Sequence, residues 1–238
     1  MFKRRVLLTR EYEDIERDSK IFLEKNIGVI RLPLIKTVPV SFNLPARKPD
    51  YVIFQSKNAF KYFKSKLESL PDARIIAVGD KTKIYIEKEN LKVWLTPEEQ
   101  SAKGLCKAME NISKGTVWIP RSKIGRREII NCLKSMGFEV FPIDVYTTIN
   151  IIYKPEIFTC RTSKADAVLF ASPSAVSGFF ENFKNLHNFI DLKSKMLIAI
   201  GNTTKKSLEE RGYTADYIPE KPSVEAISEF LYSFWHNS

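Results

Sequence analysis

Short apolar runs alternate with amphipathic segments along nearly the whole chain. The amphipathic segments have helical periodicity, as in the stripe formed by Leu105, Ala108, Met109 and Ile112. Alternating strands and helices are typical of parallel sheets, so the pattern predicts an α/β fold. The strand-like runs, rich in β-branched residues, cover 5–9, 28–35, 50–55, 74–78, 92–95, 115–119, 138–147, 165–171, 196–200 and 214–218.

The same sequence pattern occurs twice. Residues 50–63 match residues 166–179 at an offset of 116, and VLLTR at 6–10 matches VWIPR at 117–121 at an offset of 111. Shared helix and strand preferences do not explain glycine, threonine and serine aligning in one register, so we infer a duplicated α/β unit. Three residue pairs share an offset of 122: Gly79 and Gly201, Thr82 and Thr204, Ser101 and Ser223.

The boundary between the two expected domains has two interpretations. Each copy contains a β-branched run followed by irregular chain, at 36–40 and 144–152. If these runs pair as a two-stranded connector, the chain leaves the first domain near residue 36 and returns near residue 149. A single cut near residue 113 is simpler. The sequence pattern does not choose between them.

The charge of the chain bears on its partners. A formal net charge of +10 favours an acidic partner, which is a nucleic acid, an anionic membrane or a polyanionic small molecule. A lysine-rich solvated surface explains the charge equally well. The basic residues are spread over many predicted helices, which argues against a dedicated nucleic-acid site. No apolar run approaches the roughly 18 residues that span a bilayer, so we expect no membrane partner.

The motifs that are missing narrow the chemistry. There is no Walker loop, no GxGxxG and no GxSxG, which argues against nucleotide hydrolysis, dinucleotide cofactors and acyl-transfer triads. The three cysteines have no paired spacing, and with two histidines they form no metal-ligand pattern. We therefore expect no cofactor and no metal, and we interpret Cys106 and Cys132 as packing residues of helices. Cysteines without paired spacing fit a reducing compartment, so we expect a cytoplasmic location. The sequence shows no oligomerisation signal, so we expect a monomer.

Polar residues follow many predicted strands and open the next helix. In a parallel sheet these positions share the carboxyl edge, where helix N-termini bind carboxylates or phosphates. The ordinary role of a serine or threonine there is an N-cap, and that of a glycine is a turn. A cleft between two domains, lined by two sets of such loops, is the predicted anion site. The candidate binding residues are Arg10, Ser56, Lys57, Gly79, Thr82, Ser101, Arg121, Ser122, Ser172, Ser174, Gly201, Thr203 and Thr204.

Tyr146 is the candidate for catalysis. It lies at the end of the predicted strand 138–147, inside the proposed connector. A phenol donates a proton or a hydrogen bond at neutral pH. Packing against its neighbours is the ordinary alternative for a strand tyrosine.

These motifs, in this order, resemble the uroporphyrinogen-III synthase family. The likeness covers nearly the whole chain, and the order and spacing of the motifs are more specific than any one of them. The motifs are VLLTR (6–10), FQSKNAF (54–60), AVGDKT (77–82), WIPRS (118–122), VYTT (145–148), FASPSAV (170–176), IGNTT (200–204) and PEKPS (219–223).

The resemblance implies both an architecture and a substrate. It implies two similar parallel-sheet α/β domains joined by a two-stranded β-ladder, one formed by 1–36 plus 149–238 and the other by 37–148. The implied substrate is hydroxymethylbilane, a linear tetrapyrrole with eight carboxylates, which is dehydrated and cyclised with inversion of its last pyrrole ring. Tyr146 would protonate the departing hydroxyl group. Thr82, Ser172, Thr203 and Thr204 would hydrogen-bond the carboxylates.

Some residues depart from the family pattern. Glu11 follows Arg10 where a proline is common, and Ser122 replaces a glycine. Asp80 places an acid where a substrate carboxylate would approach. The alternative functions are a non-catalytic two-domain binding protein or sensor for an anionic metabolite, and nucleic-acid binding on the basis of charge alone.

Overall fold

The computed structural model of the protein describes residues 3–184, 186 and 189–236. In chain order its elements are β1 (Arg5–Leu8), α1 (Tyr12–Glu24), β2 (Gly28–Arg31), β3 (Ile35–Pro39), β4 (Tyr51–Phe54), α2 (Lys57–Phe63), a 3₁₀ helix (Lys64–Ser69), β5 (Arg74–Ala77), α3 (Asp80–Glu87), β6 (Val93–Leu95), α4 (Ala102–Met109), β7 (Thr116–Ser122), α5 (Glu128–Ser135), β8 (Glu139–Asn150), α6 (Pro155–Ser163), β9 (Ala167–Phe170), α7 (Pro173–Phe183), β10 (Met196–Ala199), α8 (Asn202–Glu209) and α9 (Val224–His236).

The chain divides into two compact units. Unit 1 comprises Met1–Lys36 and Ile149–Ser238, and unit 2 comprises Thr37–Thr148. Strands β3 and β8 contain the two points where the chain passes from one unit to the other, and they are neighbours in one sheet. A connector role for these two strands remains a prediction.

Unit 1 is built on the parallel sheet β10-β9-β1-β2. Successive side chains of a strand point to opposite faces. Val6 and Leu8 accordingly pack in one buried cluster with Ile15 of α1, while Leu7 packs in another with Phe179 of α7. Helices cover both faces, which explains why its strands are apolar at almost every position.

Unit 2 is built on the six-stranded sheet β3-β8-β7-β4-β5-β6. All of its pairs from β8 to β6 are parallel. Val40 N–H donates to the carbonyl oxygen of Val145, at the end of an antiparallel β3–β8 pair. Phe54 and Trp118 lie in the core on one face of the sheet, and Ile53 and Ile119 lie in the core on the other.

The two sheets have the same strand order. The sequence offsets carry β1 onto β7, β2 onto the start of β8, β4 onto β9 and β5 onto β10. The order β2-β1-β9-β10 in unit 1 therefore repeats as β8-β7-β4-β5 in unit 2. The prediction of two similar parallel-sheet α/β units is confirmed at the level of fold.

The predicted strand at 214–218 is wrong. Only one parallel bridge remains there, between Ile198 and Tyr217, and it matches the Ile76–Leu95 pair of unit 2 at the offset of 122. The Asp216 carboxylate accepts the backbone N–H of Leu197 at 2.6 Å. The Asp216 N–H also donates to the carbonyl oxygen of Leu197 at 2.7 Å. Pro219, which has no N–H to donate, follows Tyr217 by two residues and prevents the ladder from extending.

Three other element boundaries differ from the predictions. The run 28–35 is broken because Pro33, which has no N–H to donate, separates β2 from β3. Helix α4 ends at Met109, so Ile112 lies beyond it. Strand β8 continues to Asn150, which places Tyr146 inside a strand rather than at its end.

The interpretation of Cys106 and Cys132 as unpaired packing residues is wrong. They form a disulfide that joins α4 to α5, with their Cα atoms 6.4 Å apart. Their sequence separation of 26 does not predict a disulfide, because the pairing depends on how α4 and α5 pack together within unit 2. Cys160 is a free, exposed thiol.

This arrangement predicts the thiol count. Alkylation of the denatured protein without reductant is expected to modify Cys160 alone, and alkylation after reduction should modify all three cysteines. Mass spectrometry of the intact protein and its peptides measures the difference. Three alkylated cysteines without prior reduction would contradict the disulfide.

Two further features bear on function. None of the helices within the described ranges is long and apolar enough to cross a membrane. In the same ranges, no group of three or more His, Cys, Asp or Glu side chains could hold a metal ion.

Candidate functional site

Tyr146 lies in unit 2 where strands β7 and β8 fall out of regular register. Arg121 pairs with Asp144, but the next residue, Ser122, pairs with Tyr146, so the ladder skips one residue. Lys123 N–H then donates to the carbonyl oxygen of Tyr146 at 2.8 Å. Such irregularities redirect side chains, and they often occur next to active sites.

The Tyr146 hydroxyl lies 3.3 Å from the hydroxyl oxygen of Ser56. Ser56 is the N-cap of α2, and its oxygen accepts the backbone N–H of Ala59 at 3.1 Å. A hydroxyl oxygen has two lone pairs, so Ser56 can cap the helix and accept from Tyr146 together. Its N-cap role and its contact with the candidate acid therefore coexist.

Tyr62 of α2 holds the ring of Tyr146. The two rings are stacked, with centroids 5.5 Å apart and planes 20° apart. The Tyr62 hydroxyl donates to the carbonyl oxygen of Thr37 at 2.9 Å, which fixes its own ring. Tyr146 is only 9% exposed. The phenol is held in one orientation, as a proton donor requires.

Arg121 faces inward rather than toward solvent. It is 4% exposed, its guanidinium lies 3.3 Å from the Asp144 carboxylate, and it also donates to the carbonyl oxygen of Gly125. Arg121 therefore ties β7 to β8 and to the following turn, close to Tyr146. The Arg121 Nε and the Ser122 hydroxyl are buried without a hydrogen-bond partner among the described residues.

The predicted helix N-caps form in both units. Ser101 accepts Gly104 N–H at 3.0 Å and Ser172 accepts Ala175 N–H at 3.1 Å. Gly79 and Gly201 are the N-caps of α3 and α8, both with extended backbone that any residue adopts. The ordinary structural role of these residues is thus present, and their predicted contact with substrate remains a prediction.

The two equivalent glycine loops differ in access. In unit 2, Gln100 covers the start of α3: its side-chain oxygen accepts Asp80 N–H at 3.1 Å, and its amide donates to the Asp80 carboxylate. In unit 1, the residue at the equivalent position is Pro222, which cannot make these bonds. Asn202 and Thr203 at the start of α8 are exposed. The α8 loop can therefore receive an anion, whereas the α3 loop is occupied by its own chain.

The chain is similar in sequence and fold to known proteins. The family model described as "Uroporphyrinogen-III synthase HemD" matches residues 17–229. The chain belongs to the uroporphyrinogen-III synthase family. The earlier resemblance is therefore confirmed.

Individual relatives agree with this membership. The chain is 29% identical to "Uroporphyrinogen-III synthase, chloroplastic" of Oryza sativa subsp. japonica, over 95% of this chain and 80% of that protein. It is 27% identical to "Uroporphyrinogen-III synthase" of Chlorobaculum parvum, over 95% of this chain and 98% of that protein.

Solved structures support the fold. The structure of uroporphyrinogen-III synthetase from Helicobacter pylori aligns with a TM-score of 0.70 at 22% identity, over 97% of this chain and 99% of that one. A mutant uroporphyrinogen III synthase from Thermus thermophilus aligns with a TM-score of 0.61 at 16% identity, over 99% and 100% of the two chains. At these identities the likeness concerns the fold alone.

The threonines suggested by the resemblance to the synthase family differ in exposure. Thr82 is 6% exposed and Thr204 is 1% exposed, so both lie in the packed first turns of their helices. Thr203 is exposed at the start of α8, and Ser174 is half-buried in the first turn of α7. Of the two threonines in the α8 loop, Thr203 is the better placed to contact a ligand.

Arg10 is bound within unit 1. Its guanidinium lies 3.0 Å from the Asp18 carboxylate, which is almost fully buried, and 3.3 Å from that of Asp14. A role in binding substrate would require Arg10 to leave or share these partners. Lys57, the first residue of α2, is half-buried.

Sequence reasoning missed Gln100 and Tyr62. The sequence shows only that Gln100 stands where the other copy has Pro222, at the offset of 122, and this difference does not specify the contact with Asp80. No local pattern indicated Tyr62, because its contact with Tyr146 joins a helix and a strand far apart in the chain.

We expect the phenol of Tyr153, in unit 1, to lose its proton at a higher pH than a free tyrosine does. Burial raises the pKa of its phenol, and the nearby Arg161 cation partly opposes this. The folded protein thus keeps the proton where the unfolded chain, with a pKa of about 10, has lost it. The associated stability is fully present below about pH 10 and is lost as the pH rises through the folded pKa.

Phenolate absorbance during an alkaline titration measures this effect. We expect the difference between the wild-type protein and Tyr153→Phe to titrate above pH 10, about the value for a free phenol. A difference curve centred at or below that pH would contradict the raised pKa.

Proposed function

We propose that the protein is a uroporphyrinogen-III synthase, which converts hydroxymethylbilane to uroporphyrinogen III and water. Family membership supports the reaction. The single observation that carries the chemical role is the fixed Tyr146 hydroxyl, 3.3 Å from Ser56 and stacked on Tyr62. The Tyr146 hydroxyl is an oriented proton donor. We propose no other catalytic side chain.

The first step is loss of the substrate hydroxyl group. Tyr146 donates its proton to this hydroxyl, the carbon–oxygen bond breaks, and water leaves. The pyrrole nitrogen supplies the electron pair, which gives an azafulvenium cation. Because the substrate stabilises its own cation, the protein needs no nucleophile and no acyl-transfer triad.

The later steps depend on conformation. The substituted carbon of the last pyrrole attacks the cation to form a spiro intermediate, which fragments and closes again with that ring inverted. A pyrrole proton is finally lost and can return to the Tyr146 phenolate. Spontaneous closure gives the uninverted isomer, so the protein acts mainly by holding the reacting carbons in place.

Charge supports binding of a polycarboxylate. The chain has a formal net charge of +10. The backbone N–H groups of Asn202 and Thr203, at the start of α8, have no acceptor among the described residues, and a helix N-terminus favours a carboxylate. We propose Thr203 and these N–H groups as carboxylate ligands, with Ser172 as a further candidate.

The proposal extends to the organisation of the enzyme. Units 1 and 2 are its two domains, it acts as a monomer, and nucleic acid is not a partner. The expected cytoplasmic location loses its support from unpaired cysteines, because Cys106 and Cys132 form a disulfide. Light scattering at micromolar concentration tests the monomer. Salt-sensitive DNA binding tighter than non-specific levels would show that nucleic acid is a partner.

The isomer produced tests the function. The protein is incubated with freshly prepared hydroxymethylbilane, quenched before spontaneous closure is complete, and the oxidised porphyrin isomers are separated. We expect the type III isomer, formed faster than the type I isomer forms without protein. Type I alone, at the spontaneous rate, would overturn the proposal and favour the alternative hypothesis of a non-catalytic binding protein.

A further inference from the structure

Unit 1 contains a cavity of about 580 Å³ beside the edge strand β2, which we call the edge pocket. Residues of β2 and the following turn, the start of α1, the chain after β8 and the end of α6 line it. Its lining contains three cations and no carboxylate. The lining residues are Tyr12, Val29, Ile30, Arg31, Pro33, Tyr153, Arg161 and Lys164.

Two of the three cations lack a counter-charge. Arg31 forms an ion pair with Glu16 at 2.7 Å. Arg161 donates to the carbonyl oxygen of Arg31 at 2.7 Å, and neither it nor Lys164 has a carboxylate partner in the part of the chain that the structure describes. Two exposed positive charges therefore share a concave site.

The remaining walls are apolar or aromatic. Val29, Ile30 and Pro33 are partly buried, and the Tyr12 ring is 60% exposed. Tyr153 is fixed, because its hydroxyl donates to the carbonyl oxygen of Pro33 at 2.8 Å. The pocket thus combines surface that suits a flat ring with cations that suit carboxylates.

We propose that the edge pocket binds one pyrrole unit of the substrate, with its carboxylate arms on Arg161 and Lys164. This inference rests on the proposed function, because the substrate is then a chain of pyrroles that each carry two carboxylates. The pocket includes the carboxyl end of the edge strand β2 and the start of α1, and its two cations without a carboxylate partner among the described residues lie in the last turn and at the C-cap of α6.

The ordinary explanation for these cations is helix stability. Arg161 lies in the last turn of α6 and Lys164 is its C-cap, where positive charge interacts favourably with helix carbonyls. Lys107 occupies the last turn of α4 in unit 2, is exposed and lines no described pocket. Lys164→Glu and Lys107→Glu therefore change net charge equally at comparable helix positions.

The kinetic test compares these two variants with the wild-type enzyme. We expect Lys164→Glu to raise KM about five- to tenfold with kcat within about twofold, since reversal removes an attraction and adds a repulsion. Lys107→Glu should leave both constants near wild type. Raising the salt concentration should narrow the KM difference, because salt screens exposed charges. Equal changes in KM for both variants, or none for either, would overturn the inference.

Direct binding separates this inference from the proposed function. Calorimetric titration with benzene-1,2,4-tricarboxylate, a flat ring with carboxylates, measures the affinity of the edge pocket without turnover. We expect binding that Lys164→Glu weakens about fivefold or more and Lys107→Glu leaves unchanged. If the wild type makes no type III isomer, the function fails whatever the titration gives. If the wild type is active and Lys164→Glu affects neither KM nor binding, only the edge pocket fails.

Discussion

Replacement of Tyr146 by phenylalanine should lower kcat between severalfold and about a hundredfold, with the type III isomer still the main enzymatic product. Loss of one general acid has this order of effect when the substrate supplies much of the driving force. The ring and its stacking on Tyr62 remain, so the substrate should bind as before and KM should change little. Initial rates of type III formation over a range of substrate concentrations separate the two constants.

Tyr51→Phe is the matched control for this variant. Tyr51 is also a buried tyrosine of a unit 2 strand, and its hydroxyl makes one hydrogen bond, to the carbonyl oxygen of Ser113 at 3.1 Å. It should lose a similar amount of stability but keep its activity. Equal kcat values for wild type and Tyr146→Phe would remove Tyr146 from the mechanism. Equal losses in both tyrosine variants would make the effect structural.

Replacement of Asn182 by leucine should destabilise unit 1 by about 2–4 kcal/mol. Asn182 lies buried in α7 and accepts Tyr153 N–H at 2.7 Å, while it donates to the carbonyl oxygens of Ile151 and Gly178 at 2.8 and 2.7 Å. Leucine leaves the carbonyl oxygen of Ile151 and the backbone N–H of Tyr153 without these hydrogen bonds. Each buried polar group left unpaired costs on the order of 1–3 kcal/mol.

Chemical denaturation followed by circular dichroism measures this loss. Asn131→Leu makes the same replacement at an exposed position of α5 and should shift the unfolding midpoint little. An Asn182→Leu protein that unfolds at the wild-type midpoint would show that the three hydrogen bonds do not stabilise the segment after β8.

The parts of the fold that could be predicted from the sequence are those that depend on neighbouring residues. Ser56, Ser101 and Ser172 were predicted as N-caps because a hydroxyl next to free helix N–H groups is a property of a few neighbouring residues. The apolar runs predicted most strands for a similar reason, since strands covered by helices on both faces are apolar throughout. At 214–218 the same pattern failed, because Pro219 has no N–H with which to extend the ladder beyond the Ile198–Tyr217 bridge.

The sequence predicted only part of the candidate site. Tyr146 could be singled out by its position in the chain and by resemblance, yet nothing local placed it beside Ser56, which is 90 residues away. The positions of Arg121 and Arg10 at strand ends predict contact with a ligand, and that contact stays a prediction. Their ion pairs with Asp144 and Asp18 could not be predicted, because folding brings those carboxylates to them.

The sequence by itself determined the duplication, the α/β class, the polar strand ends and the family resemblance. Each of these depends on short motifs, on periodicity or on capping residues, which a few neighbouring residues define. Only the tertiary structure decided which strand ends stay open. It placed Gln100 over α3 but left the start of α8 exposed, and it joined Cys106 to Cys132. It also gathered Arg161 and Lys164 with Tyr12 in the edge pocket. Each of these contacts joins residues that are distant in the chain, and no local preference specifies such a contact.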